Sequence, residues 1–313
     1  MSNGAKTLAI IIMAVLTLSA AAYLKNGRTS NSLLEFITAD NLLPGASNGP
    51  DASESAYDKN FKYSRRIRFS IVSYSLPEKL YAKGKIIRKY LEENLGIEVK
   101  MIILRDYDSL IDLLKIGQVE VVWAAPLIYR NIKNEVNYNL LLKLLEHNSP
   151  FYEGAIVVRA DSGIKNIKQL EGKTMAFVDE NSASGFYLQN RLINDLGASS
   201  LKFFSKFEFV GSHDRALQLV YDKKFDAAAV GIQLMNFPSG MNSAEISIIA
   251  KTQKIPNAPI LVNNNIDAGL RGRIYELLLH PEKFKGGHEF IKQFSAFDSF
   301  TGFTTADTSE YEF

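Results

Sequence analysis

With 313 residues, 46% of them aliphatic or aromatic, the chain has material for two compact domains and is not a disordered segment. A net charge of only +2 excludes a nucleic-acid binder that works through a basic face. The absence of cysteine excludes disulfides, thiolate metal sites, cysteine nucleophiles and a lipidated-cysteine anchor.

After Lys6, residues 8–24 (LAIIIMAVLTLSAAAYL) carry no charge and end in small residues. Residues 1–25 therefore read as a signal peptide, with Ser19-Ala20-Ala21-Ala22 offering a cleavage site, or as an uncleaved membrane anchor. Either way the remainder is exported. Residues 26–64 turn polar and punctuated (NGRTSNS, LPGASNGPDASES) and read as a flexible linker. A stalk suits a tethered protein better than a freely diffusing one.

From residue 66, apolar runs alternate with amphipathic helical spacing. Strands are expected at 67–72, 99–104 and 119–123. Helices fall between them, at 77–95 with Gly96 as its stop, and up to Ile116 with Gly117 as its stop. Asp108 or Ser109 is the expected cap of the second, and Pro126 opens a third. This order predicts a mostly parallel sheet covered on both faces. The pattern then restarts, with strands at 155–159, 174–178, 207–210 and 225–230 and helices at 164–170, 184–196 and 214–221. Strands at 246–252 and 260–262 flank the segment IPNAP, before helices in 267–279 and about 281–294. The expectation is an α/β chain of two lobes, two doubly wound sheets joined by two hinge crossings. Lobe 1 takes 65–154 and 256–313, and lobe 2 takes 155–255. Ligands in such folds bind at the carboxyl ends of strands, in the cleft.

Three signals lie at such ends. The stretch TMAFVDENSASG (174–185) is a strand, a loop of small polar residues and a helix start, where unpaired N–H groups and the helix dipole favour an anion. Ser182 and Ser184 add hydroxyl donors, and Gly185 permits close approach. Ordinary serine capping explains the same residues. In GSHD (211–214), His213 is positioned to donate to the same anion and Asp214 to cap the helix, although a single histidine is commonly structural. Tyr107, Trp123 and Tyr152 stand at strand ends or at the first crossing, where core packing is the competing explanation for Trp123. The other histidines have no metal-ligand spacing, and no G-x-S-x-G, Walker A or G-x-G-x-x-G motif occurs.

In order and spacing, RDYDSLIDLLKIGQVEVVWAAPLIY, SGIKNIKQLEGKTMAFVDENSASGF, GSHDRALQLVYDKKFDAAAV, IPNAPILV and GFTTADTSEYEF resemble one family. Over residues 66–313 the chain is similar to the phosphate/phosphite/phosphonate-type substrate-binding proteins of ABC transporters, with a type II periplasmic-binding-protein fold. The resemblance implies that Ser182, Ala183, Ser184 and His213 hold an oxyanion and that Tyr107 and Tyr152 close over it. Ala183 stands where the family has a hydroxyl residue. Family members that take aminoalkylphosphonates place a carboxylate where this chain has Gln233, which favours phosphite, methylphosphonate or phosphate as the ligand.

The resulting expectation is an extracytoplasmic solute-binding protein of an ABC importer, a monomer in the periplasm or tethered on the outer face of the cytoplasmic membrane. It would dock on a membrane permease and use no metal, no cofactor and no nucleic-acid partner. The alternative is a membrane-tethered sensing domain of a signalling system built on the same fold, which neighbouring genes would distinguish. An enzyme on this fold would need a nucleophile, metal site or cofactor lysine in the cleft, and the sequence offers none.

Overall fold

The structure, a computed structural model, describes residues 37–38, 66–72, 74–104, 106–197, 200–232, 241–296 and 299–313. The apolar segment 8–24, nearly all of the linker and Gln233 lie outside the described residues. Among the described residues no helix is long and apolar enough to cross a membrane.

The first β–α units form as their sequences dictate. Strand β2 (Arg66–Ile71) leads to α1 (Pro77–Leu95), which opens on a proline and closes on Gly96 at φ 69°, whose N–H reaches back to Glu92 O. Then come β3 (Glu98–Ile103), α2 (Tyr107–Ile116), β4 (Val121–Trp123) and α3 (Pro126–Ile132). The cap of α2 is Asp106, whose carboxylate accepts from Ser109 N at 2.8 Å. The expected caps, Asp108 and Ser109, fall inside the helix instead, and Tyr107 becomes its first residue. Ahead of these, β1 (Ile37–Thr38), within the stretch read as linker, pairs antiparallel with the outer edge of β3.

The strand β5 (Tyr138–Glu146) was not expected, and it takes the chain to the first crossing at 147–150. The second half runs β6 (Phe151–Arg159), β7 (Thr174–Phe177), α4 (Leu188–Asn194), β8 (Lys206–Phe209), α5 (His213–Tyr221), β9 (Ala227–Gly231) and β10 (Ile246–Pro256). The chain then returns through Asn257 and Ala258 to β11 (Pro259–Asn263), α6 (Ala268–Leu279), α7 (Gly287–Ser295) and β12 (Phe300–Thr304). The expected helix at 281–294 is broken, a 3-10 turn at Pro281–Lys283 preceding α7. The stretch expected as a helix at 164–170 is likewise a 3-10 turn, Ile167–Leu170.

Two sheets result. One has the order β1-β3-β2-β4-β11-β5-β12 and the other β10-β6-β9-β7-β8. Parallel pairing is confined to β3-β2-β4 and β9-β7-β8. Every other pair is antiparallel, so the sheets are mixed where a mostly parallel one was expected. The cause is the return path: β11 comes back from the second sheet and inserts beside β4 and β5 running the other way. The architecture is α/β, two mixed sheets joined by two crossings.

The two crossings lie side by side. Tyr152 pairs with Ile255, and Pro259 pairs with Lys143. Asn257, 1% exposed, donates through Nδ2 to Leu144 O and Ser149 O, and its own carbonyl accepts the Tyr311 hydroxyl at 2.8 Å. The C-terminal turn Thr308–Tyr311 carries a capping box of Asp307 and Glu310, and Glu310 also receives the buried Lys143. The two connections are thus tied to each other and to the C-terminus.

Candidate ligand-binding cleft

The carboxyl ends of β2, β3, β4 and β5 meet the loops after β7 and β8 of the other sheet around a small cavity of about 50 Å³. That space takes a handful of water-sized atoms. Tyr74, Tyr107, Trp123 and Glu146 face it from the first sheet, and Tyr152, Ser182, Ala183 and His213 from the second.

The loop after β7 is shaped by one close approach. A Cβ on Gly185 would lie 2.5 Å from Val178 Cβ and 2.7 Å from Ser182 Oγ, so only glycine permits this fold-back. Val178 N–H then donates to Gly185 O, and Ser182 Oγ accepts from Gly185 N at 3.0 Å. The helix expected at 184–196 starts instead as a π turn, Ala183–Tyr187, in which Tyr187 N–H bonds back to Ser182 O. Ser182 and Ala183 come to the cavity wall. Ser184 is fully buried behind it, with its Oγ 3.4 Å from Tyr152 Oη.

His213 opens α5, whose cap is Ser212, accepting from Arg215 N. The Asp214 expected there as the cap has another role, crossing the cleft to Ser75, Leu76 N and Lys79. His213 is 3% exposed, and its Nδ1 accepts from Gly231 N–H at 3.1 Å. A nitrogen that accepts carries no proton, so the ring is neutral with its N–H at Nε2. Burial, opposed by the nearby Asp214 charge, pushes its pKa down to about 4. His213 is therefore a fixed neutral donor in the cavity wall.

Burial also pushes the phenols of Tyr107 and Tyr152 well above their ordinary value, with the Ser182 and Ser184 hydroxyls respectively opposing the shift. Both remain protonated and able to donate. Trp123 forms the floor, stacked between Tyr74 and Phe294 at 5.8 Å from each.

Sequence reasoning missed two wall residues and one behind them. Glu146 went unnoticed because its strand did. Tyr74 stands at the carboxyl end of β2 in a Ser-Tyr-Ser triplet, a signal of the same kind as Tyr107. Lys83, 1% exposed, lies on the apolar face of α1 by spacing, where its charge hides the burial. Gln233, expected in the site, lies outside the described residues. Among the described residues no group of three or more histidines and carboxylates is arranged to hold a metal ion.

The site therefore combines neutral O–H and N–H donors and one carboxylate, Glu146, around a small volume, and the donors suit hydrogen bonding to an anion. Comparisons with known proteins give the family. Residues 69–311 match the family model of the ABC transporter phosphonate periplasmic substrate-binding protein. The chain is 25% identical to the phosphonates-binding periplasmic protein of Escherichia coli, over 70% of this chain and 67% of that protein. It is 26% identical to the probable ABC transporter phosphite binding protein PhnD1 of Prochlorococcus marinus, over 51% of this chain and 58% of that one. The crystal structure of PhnD1 with methylphosphonate superposes with a TM-score of 0.68 at 20% identity, covering 79% of this chain and 95% of PhnD1. A binding-protein component of a Pseudomonas aeruginosa phosphonate transporter gives 0.71 at 17% identity, covering 79% and 83%.

Proposed function

The chain belongs to the phosphonate periplasmic substrate-binding proteins of ABC transporters, and we propose that it binds a simple phosphorus oxyanion and delivers it to a membrane permease. The observation that carries this reading is His213, held neutral by Gly231 N–H so that only a donor faces the cavity. Ser182, the Tyr107 and Tyr152 phenols and the first N–H groups of the π turn add donors of the same kind. Ser184 acts from behind, through Tyr152. The lobes rotate about the two tied crossings, which drives out water and strengthens every hydrogen bond to the anion. The protein works as a monomer outside the cytoplasmic membrane, with residues 1–25 as signal or tether.

A calorimetric titration of the full chain with phosphite, methylphosphonate, phosphate and sulfate tests this. Tight binding of at least one phosphorus oxyanion is expected, with a loss of about tenfold or more in His213→Ala. Equal affinity for sulfate, or no response to any phosphorus oxyanion, would sink it.

Glu146 supports a second reading. A carboxylate in the cavity wall suits the ammonium of an aminoalkylphosphonate. That reading requires 2-aminoethylphosphonate to bind more tightly than methylphosphonate, and Glu146→Gln to reverse the order. The simple oxyanion is preferred because Glu146 already faces the buried Lys83 ammonium, whose charged form it stabilises.

A further inference from the structure

We infer that the Tyr74 hydroxyl is a further oxyanion donor in this cavity, and that Lys83 behind it is the positioning residue that orients and polarises it. This rests on the oxyanion-binding reading and extends it to a wall of the cavity contributed by β2 and α1.

Lys83 Nζ donates to Tyr74 Oη at 2.8 Å. An ammonium has donors and no lone pair, so the phenol oxygen must accept. The phenolic proton is thereby turned away from Lys83. Tyr74 lines the cavity at 9% exposure, and among the described residues no protein acceptor takes that proton. An acceptor supplied from the cavity completes the chain Lys83, Tyr74, anion. A phenol that accepts from a cation is a stronger donor than an isolated one, because each hydrogen bond polarises the next.

A buried ammonium is costly, and that of Lys83 is surrounded by the rings of Tyr74, Trp123 and Phe294 at 5.2, 5.9 and 5.7 Å. Those rings come from the ends of β2 and β4 and from α7, so three separate segments converge to hold one charge next to the cavity. Burial pushes its pKa down to about 8. Lys79, one turn earlier on α1, pushes the same way, while Glu146 from β5 and Asp214 from α5 oppose. The neighbouring Tyr74 phenol is pushed up by burial and stays protonated. The other donors at the wall are neutral, and a cation one hydrogen bond behind the wall supplies the counter-charge that an anion meets on desolvation. An anion in the cavity favours charged Lys83, so affinity declines as pH rises through about 8.

The test is phosphite titration of the full chain and of Tyr74→Phe, Lys83→Met, the double variant and His213→Gln. Tyr74→Phe keeps the ring and removes the donor, and is expected to weaken binding about tenfold to a hundredfold. Lys83→Met should weaken it comparably, and the double variant no more than the worse single one, because the two act as one unit. Wild-type affinity should fall between about pH 7.5 and about pH 9.5 by more than that of Lys83→Met, which lacks the component due to the ammonium. A purely structural lysine would not produce that difference. If Tyr74→Phe binds within about twofold of wild type while His213→Gln is weakened, this inference is wrong and the oxyanion reading stands. Loss in Tyr74→Phe with a wild-type Lys83→Met overturns the role of Lys83. A wild-type chain that binds neither phosphite, methylphosphonate nor phosphate overturns both readings. Should Lys83→Met fail to fold, Tyr74→Phe and the wild-type pH profile decide.

Discussion

Asp214, the second residue of α5, receives the Lys79 ammonium of α1 at 2.7 Å, so that a buried carboxylate of one sheet's helix layer is neutralised by a cation of the other's. The same carboxylate accepts from Ser75 Oγ and Leu76 N, and its neighbour His213 donates its backbone N–H to Tyr74 O. All four contacts span the cleft, and rotation of the lobes apart would break them together. On the proposed rotation they form a latch on the closed state, beside the cavity.

Asp214→Asn keeps the shape and removes the charge. The expected result is a dissociation constant raised about tenfold, with the change in the off-rate, since the loss falls on the closed state. Stopped-flow release of the bound oxyanion measures it. Unchanged release, with the unliganded melting temperature also unchanged, would show that the latch contributes nothing.

Gly185→Ala tests the fold-back behind Ser182. Its methyl would meet Val178 and Ser182 Oγ at distances that no Cβ tolerates. The loop must shift, at about 1–3 kcal/mol of stability, and carries Ser182 and Ala183 away from the cavity wall. Denaturant unfolding and titration together read the two effects. Adding Val178→Ala removes Cγ2 but leaves Cβ 2.5 Å from the new methyl, so it should relieve only part of the clash.

The His213 shift has a definite sign. Its pKa is lowered in the folded state from 6.5 to about 4, so the unfolded chain binds the extra proton first. The stability that neutral His213 contributes is complete above about pH 6.5 and declines as pH falls towards 4, by about 3 kcal/mol across the window. Oxyanion affinity should not follow it across this window, because His213 in the folded chain stays neutral until pH falls to about 4. His213→Gln should lack the stability component. Unfolding measured in steps across that range, in both proteins, isolates it.

How far the sequence discloses this site depends on the kind of signal. Gly96 and Gly117 end α1 and α2 where glycine in the left-handed region should, and Ser182 and His213 sit at strand ends where anion sites belong. These are local features. The strand β5, YNLLLKLLE, has no alternation and suits a helix equally well; it is a strand because β11 returns from a segment over a hundred residues away to pair with it. Glu146 was hidden by that ambiguity. Lys83 follows the helical spacing of a buried face, yet nothing local says that Trp123 and Phe294 will enclose it. The π turn at Ala183–Tyr187 escapes periodicity altogether, since one added residue per turn leaves the helical pattern almost unchanged.

The hinge offers the last prediction. Tyr311, fully buried, donates to the carbonyl of Asn257 at 2.8 Å, and Asn257 in turn binds Leu144 O and Ser149 O on the other crossing. Tyr311→Phe leaves that carbonyl buried without its partner, at a cost of about 1–3 kcal/mol. Because the bond lies within the pivot and uses none of the ligand donors, its loss should loosen the coupling of the two crossings more than it alters the cavity wall, to which neighbouring Ala258 belongs. The expected signature is a lower melting temperature with ligand preference among phosphite, methylphosphonate and phosphate unchanged, and faster opening in release kinetics. A change of preference at unchanged stability would mean that the C-terminal turn shapes the cavity itself, and that the crossings are not an independent pivot.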